Sequence, residues 1–217
     1  MPELPEVETV RIGLSALLPK RRVKDVTHDW PKGFPNASQD VKKFLVGSSV
    51  RDVRRRAKVL IIDLDTDYSL VIHLKMTGQL VFRSKIVKFG AGHPNDSLVG
   101  KLPDKSTRVI FTFDDGSQLF FNDQRKFGWV RLLPTLEVEN LDFFKKVGPE
   151  PLSADFTAGD FISRLMRRKN SGIKAVLLDQ TVVAGVGNIY ADESLFVARL
   201  RPTRPGRDVT AAEARRL

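Results

Sequence analysis

The chain has 217 residues, of which 36 are Lys or Arg and 26 are Asp or Glu, a formal net charge of +10 with no cysteine. That excess of positive charge favours a polyanionic partner, and the lack of cysteine excludes disulfides and thiolate metal sites. No apolar run is long enough to span a bilayer and no signal peptide opens the chain, so a cytosolic address is expected.

The chain opens "MPELPEVETV". Pro5 stands where a helix favours its first residue, and Val7, Val10, Leu14, Leu17 and Leu18 repeat at helical spacing. The spacing predicts a helix from about Pro5 to Leu18, ended by Pro19. A β-rich region follows. "KVLIIDLDTDYSLVIHLKMTGQLVF" reads as three strands and two turns, and "RVIFTFDDGSQLFFND" as a hairpin on a two-residue Asp115-Gly116 turn. "GWVRLLP" reads as one more strand. Residues 84–107, rich in Gly, Pro and Asn, read as a long surface loop.

"VGPEPLS" reads as an interdomain linker. It divides the chain into an N-terminal β domain (1–138), a linker (139–152) and a helical domain (153–217). In the last, "GDFISRLMRRKN", "IKAVLLDQ" and "NIYADESLFVARL" are the predicted helices. Thr210 with Glu213 forms a capping box, and since the chain stops about two turns later, a break within a helix is expected.

Several of these stretches carry chemistry. Once Met1 is removed, Pro2 presents a secondary amine. An α-amino group has a pKa of about 7.7–8.0, so a useful fraction is unprotonated and nucleophilic at neutral pH. Bonded to the C1′ of a sugar, a secondary amine gives only a cationic iminium, a permanent electron sink. Glu3 is placed to protonate the opening sugar oxygen or a leaving group, and Glu6 falls in the first helical turn, where the macrodipole favours negative charge. Arg54, Arg55, Arg56 and Lys58 read either as a solvated basic edge or as a phosphate-binding strip with Lys58 aimed at the reaction centre. His73 lies on a strand and Met76 in a tight turn, where a thioether can act as a wedge in a base stack. Arg125 and Phe127 flank a strand end, and Phe127 taken by itself reads as core. Gly185 and Gly187 lead into Asn188, a good N-cap, at a helix start suited to a phosphate. Lys174 and Arg167-Arg168-Lys169 on the preceding helices add positive charge.

The blocks "PELPEVET", "RRAK", "HLKMTG", "DQRKFG", "VGPEPLS" and "KAVLLDQTVVAGVGNIYADESLF" occur in that order, and together the chain resembles the formamidopyrimidine-DNA glycosylase family over nearly its whole length. Leu4 fits this branch better than the sister endonuclease VIII branch, which typically has Gly there. The resemblance implies an α+β fold, a β-sandwich with the N-terminal helix packed on it, followed by a helical domain with a helix–two-turn–helix element. It also implies a base-excision-repair enzyme of the bacterial cytoplasm and nucleoid, acting as a monomer on damaged double-stranded DNA. Such an enzyme excises 8-oxoguanine and formamidopyrimidines, then cleaves the abasic site by β- and δ-elimination.

By the same resemblance Pro2 is the Schiff-base nucleophile, Glu3 the acid, Glu6 a supporting carboxylate and Lys58 a phosphate contact that assists elimination. His73, Lys174 and Asn188 hold the backbone around the flipped nucleotide. Met76, Arg125 and Phe127 fill the gap and face the orphaned base. Family members usually end in a four-cysteine zinc finger, which a chain without cysteine lacks, so no cofactor is expected. The loop that caps a flipped 8-oxoguanine also lies beyond Leu217. Ser106 stands after Lys105 where the family often has His, and Asn170 where a basic residue is common. Two other readings use the same features: a DNA-binding fragment without turnover, and an endonuclease VIII-like enzyme for oxidised pyrimidines.

Overall fold

The computed structural model describes residues 1–217 and divides into two compact units, Met1–Leu141 and Asp142–Leu217. In the first, helix α1 (Leu4–Leu17) forms as its apolar spacing predicts, burying Leu4, Val7, Val10 and Leu14. Strands β1 (Val23–His28), β2 (Val50–Arg56), β3 (Val59–Leu64), β4 (Tyr68–His73), β5 (Gly78–Arg83), β6 (Lys88–Gly92), β7 (Thr107–Phe113), β8 (Gln118–Asp123) and β9 (Trp129–Pro134) follow. A short helix, α2 (Ser38–Asp40), continued by a π-helical turn (Val41–Leu45), lies between β1 and β2.

The strands make two antiparallel sheets, ordered β1-β7-β8-β5-β6 and β2-β3-β4-β9. Alternate residues of both sheets share one core. Leu80, Phe82, Phe111 and Phe121 come from the five-stranded sheet, Val53, Leu60, Ile72 and Val130 from the four-stranded one, and Val7, Val10 and Leu14 from α1. Each such burial contributes roughly 1.5–3 kcal/mol against the entropy of ordering. The expected sandwich with a packed N-terminal helix is therefore the architecture found.

The sequence reading missed several features, β1 and α2 among them. Strand β2 carries the run Arg54-Arg55-Arg56, and two of its guanidiniums are committed inside the fold. Arg54 Nε donates to Asp63 at 2.7 Å and Arg55 Nε to Glu8 at 2.7 Å. Burial raises the Glu8 pKa, but hydrogen bonds from Arg11 and Arg55 outweigh it and hold the carboxyl below its ordinary value. The supposed loop 84–107 contains β6, which pairs with β5 from Gln79↔Gly92 to Arg83↔Lys88. The β7–β8 turn is also wider than two residues, since the last paired residues are Thr112 and Gln118. A type I′ turn needs positive φ at both central residues, and here only Gly116 has it, at 78°. Asp115 instead accepts the Ser117 N–H at 2.9 Å.

The second unit holds α3 (Asp142–Lys146), α4 (Ala158–Arg167), α5 (Ile173–Leu178), α6 (Asn188–Ala198) and α7 (Ala211–Arg216) around a separate core that includes Leu165, Ile173, Val176, Ala191 and Leu195. Helix α4 starts on a Thr157–Asp160 capping box and α7 on the expected Thr210–Glu213 box. The segment 139–152 is not a free tether. It contains α3, the Gly148 N–H donates to Gln180 O at 2.7 Å, and Pro149 O accepts the Ala184 N–H at 2.9 Å. A Cβ at Gly148 would lie 2.5 Å from Thr181 O, so glycine is required for that approach. No helix is long and apolar enough to cross a membrane.

Candidate nucleic-acid interface and active site

The N-terminus of α1 brings three candidate residues together. Pro2 is buried and Glu3 is 2% exposed, beneath a half-exposed Met1. Glu6 Oε2 accepts the Glu3 N–H at 2.8 Å, so this carboxylate braces the first turn. Lys58 approaches from another element. The β2–β3 hairpin closes on two residues, Ala57 and Lys58, between the Arg56↔Val59 pair, with Ala57 at φ 51° and fully buried. So tight a turn leaves the Lys58 stem little freedom. Burial lowers the Lys58 pKa, and the charges of Glu3 and Glu6 act in the opposite sense. Lys58 is thus a cation on which the charges of both acids act.

His73 stands beside this group. It pairs across the sheet with Val59, next to Lys58, and on the other side with Trp129, whose ring meets the imidazole edge-on at 5.8 Å. Its Nδ1 accepts the Lys75 N–H at 3.1 Å, which assigns the ring proton to Nε2 and makes that atom a donor. Burial foremost, then repulsion from Lys75 and Lys58, lowers its pKa to about 3.

This has a consequence for stability. Between the ordinary His value of about 6.5 and about 3, the unfolded chain binds a proton that the native chain does not. The His73 contribution is therefore complete above about pH 6.5 and declines as pH falls, by at most about 1.4 kcal/mol per unit. Urea melts across that window should give a shallower loss of stability for His73→Gln than for the wild type. Equal slopes would show that His73 protonates as readily in the native state as in the unfolded one.

Met76, Arg125 and Phe127 lie on the two connections that pass from one sheet to the other. The β4–β5 turn holds Lys75 at φ 51° and closes with Gly78 N–H on Leu74 O at 2.9 Å. A Cβ on Gly78 would fall 2.3 Å from that oxygen. The β8–β9 connection holds Arg125, Lys126 and Phe127 exposed. A buried carboxylate ties the two turns to each other. Asp123 accepts from Thr77 Oγ1 and, at 2.7 Å, from the Gly128 N–H, while the Arg125 N–H donates to Thr77 Oγ1 at 3.0 Å. Nothing in the local sequence marks Asp123 for this role, because its partners are 46 residues upstream and 5 downstream.

Phe127, which by itself reads as core, is 53% exposed and lies under the Arg125 guanidinium at 4.7 Å. Its place at the tip of a connection, where no second layer covers it, is the reason. Met76 is half-buried. The five-residue set of Lys58, His73, Met76, Arg125 and Phe127 thus comes from turns and strand ends linked through β4 and Asp123.

In the second unit Lys174 Nζ meets Asp192 at 2.8 Å, and Asp192 is one turn beyond Asn188 on α6, so Lys174 and Asn188 share a face. Asn188 is exposed and is the first residue of α6; the N-cap is Gly187. Gln180 shapes the glycine-rich turn before it, accepting the Gly185 N–H at 2.9 Å and donating to Val186 O at 2.8 Å. Arg168 pairs with Asp179 at 3.2 Å.

Of the departures from the family pattern, Ser106 is buried and hydrogen-bonds Asp104 at 2.6 Å. Asn170 accepts from Arg207 at 2.9 Å, which brings a cation to the place from another segment. A groove of about 530 Å³ in this unit, lined by Phe156, Phe161, Leu177 and Tyr190 among others, carries none of the candidate residues. These 217 residues include no cysteine, and the structure brings together no group of three His, Asp or Glu side chains.

Comparison with known proteins matches the chain over both units. The Formamidopyrimidine-DNA glycosylase N-terminal domain matches residues 1–130 and the Formamidopyrimidine-DNA glycosylase H2TH domain residues 147–217. The formamidopyrimidine-DNA glycosylase of Pelotomaculum thermopropionicum is 41% identical over 218 residues, covering 100% of this chain and 74% of the relative. The structure of Lactococcus lactis Fpg with DNA containing an abasic site superposes with a TM-score of 0.83 at 31% identity, over 99% of this chain and 73% of that one. A variant of the same protein, bound to DNA containing Fapy-dG, superposes equally well at the same identity. Two matched domains and a relative at this identity establish that the chain belongs to the formamidopyrimidine-DNA glycosylase family.

Proposed function

We propose that this DNA-repair glycosylase removes oxidised purines, 8-oxoguanine and formamidopyrimidines, from duplex DNA and then cleaves the abasic site through a Schiff base on Pro2. The observation that carries the reading is the buried Pro2-Glu3 pair at the head of α1, with the charges of both Glu3 and Glu6 acting on Lys58.

In this reading the Pro2 nitrogen attacks C1′ and the damaged base departs. Glu3 protonates the ring oxygen as the sugar opens, and the resulting iminium acidifies the C2′ hydrogen for β-elimination. Glu6 braces the turn that carries both residues. Lys58 binds the adjacent phosphate, and the cost of burying its charge is offset by the two acids. His73, donating from Nε2, and Lys174 with Asn188 hold the backbone of the extruded nucleotide. Met76 and Phe127 fill the vacated stack. Arg125, stacked on Phe127 and offering a planar fork of donors, reads the orphaned base. Asp192 competes with phosphate for Lys174, so binding exchanges one ion pair for another.

The test is a duplex carrying a single 8-oxoguanine, with the chain's first residue checked by mass spectrometry. Free 8-oxoguanine, a nicked strand and a borohydride-stable adduct at Pro2 are expected. DNA binding without any of the three would favour the binding-fragment reading. Release of oxidised pyrimidines in preference to purines would favour the endonuclease VIII-like one.

A further inference from the structure

His93 has no part in the chemistry above, yet the fold delivers it to the same place. At the end of β6, Gly92 adopts φ 122°, and a Cβ there would lie 2.6 Å from Gly78 O and 2.9 Å from Gln79 Cα. The chain turns where only glycine fits and lays His93 against the head of β5. The His93 N–H donates to Gly78 O at 3.0 Å, and its carbonyl accepts from the amide of fully buried Gln79. Main-chain bonds thus fix the residue on two sides and leave the half-buried imidazole outside them. Gly78 is also the partner of Asp123 across the β5–β8 ladder, so His93 shares an edge with the clamp that ties the Met76 and Arg125 turns.

Helix α1 lies on β6. Gly13 meets the Phe89 ring so closely that a Cβ would fall 2.1 Å from it. From Gly13 back to Leu4 the helix covers about 13 Å at 1.5 Å per residue. From Phe89 to His93 the strand covers about 13 Å at 3.3 Å per residue. Gly78, against which His93 is laid, closes the turn after β4, and the last residue of β4, His73, pairs with Val59 next to Lys58, so His93 lies at the edge of the sandwich that also carries Lys58. The charges acting on the imidazole agree with that placement. Burial, and after it the ammonium at the chain's N-terminus, lower the His93 pKa, while the Asp123 carboxylate raises it. The Pro2 nitrogen is one residue, at most about 3.6 Å, from that ammonium.

We propose that His93 accepts the proton that the Pro2 nitrogen sheds on bonding to C1′, an inference that rests on the Schiff-base reading above. A secondary amine that adds to carbon becomes a four-bonded ammonium. Its N–H bond must break before the lone pair can form the C=N bond while the C1′–O4′ bond opens. Glu3 gives its proton to O4′ in that step. The first proton therefore needs a separate acceptor. Glu6 is engaged by the Glu3 N–H, and Nδ1 of His73 by the Lys75 N–H. A neutral His93 imidazole takes the proton, becomes an imidazolium that the charge of Asp123 favours, and returns the proton to water.

The experiment compares wild type, His93→Ala, His93→Gln and Pro2→Gly, all with Met1 absent, by the single-turnover rate of borohydride trapping on duplex with an abasic site. DNA affinity is measured separately. His93 meets its neighbours through its main chain, so its variants keep those bonds. His93→Ala and His93→Gln should trap about a hundredfold more slowly with unchanged DNA affinity, and imidazole added to His93→Ala should restore much of the rate. Trapping by His93→Ala at the wild-type rate, or a slow rate that imidazole does not lift, overturns the inference, and a dead Pro2→Gly in the same assay leaves the Schiff-base reading standing. A wild-type chain that does not trap at all overturns both.

Discussion

A Pro2→Gly chain, with Met1 removed, is expected to lose borohydride-trappable complex with abasic DNA by about a thousandfold. Glycine keeps a terminal amine of similar basicity, so the loss does not come from protonation. It has two other sources. A primary amine gives an imine that must be protonated again before it can draw electrons from C2′, whereas the proline iminium is charged from the moment it forms. The pyrrolidine ring also ties the proline nitrogen back to its own side chain, and Pro2 is buried at the head of α1, so its nitrogen has one orientation. Glycine at the same position loses that restriction. A chain that retains Met1 should not trap at all, because its Pro2 nitrogen is an amide. The measurement is the yield of covalent complex on a denaturing gel, with intact mass to fix the first residue. If Pro2→Gly traps as well as the wild type, another amine is the nucleophile. Lys58, the cation on which the charges of Glu3 and Glu6 act, would then be the residue to replace next.

The parts of this fold that can be read from the sequence are those whose burial follows a simple period. Val7, Val10 and Leu14 mark α1, and the apolar runs of β3, β4, β5, β7 and β8 mark themselves. Strand β2 is hidden by its arginines, because a run of like charge reads as solvated until the acids that neutralise it are known. Asp63 and Glu8 come from the neighbouring strand and from α1. Strand β6 is hidden by Gly90 and Gly92, which read as loop punctuation. The first is small because a Cβ would press on Leu98 O at 3.1 Å and Val81 at 3.4 Å, and the second because the chain turns over Gly78.

The candidate residues are legible only as blocks in order. Singly, each has an ordinary structural reading, and for Phe127 that reading is wrong because exposure depends on what covers a turn, not on the residue type. The link from Lys58 to Glu3 and Glu6, and the clamp at Asp123, depend on contacts between distant parts of the chain, which no local pattern encodes.

Glu3→Gln should slow release of 8-oxoguanine by about a thousandfold, within the range typical of general acid catalysis, while trapping on DNA that already holds an abasic site falls much less. The side chain is nearly isosteric and 2% exposed, so packing at the head of α1 is kept and the variant isolates proton transfer. Release from an intact nucleotide becomes irreversible only when Glu3 protonates the ring oxygen and the C1′–O4′ bond opens, which keeps the departed base from returning to C1′. An abasic sugar opens its ring without the enzyme and depends less on that proton. A second effect follows from charge. Glu3 is the first of the two acids that raise the Lys58 pKa against burial, so removing its charge lowers that pKa further. Any step that needs Lys58 as a cation should therefore fail at a lower pH in Glu3→Gln than in the wild type, shifting the alkaline limb of strand cleavage downwards. Glu6→Gln supplies the comparison. It removes the other acid and weakens the bond to the Glu3 N–H, so it should move the same limb without the thousandfold loss of base release. Equal loss in both variants would mean that the acid acts through the shape of the first helical turn. Full excision by Glu3→Gln would mean that the proton reaches the sugar from another donor.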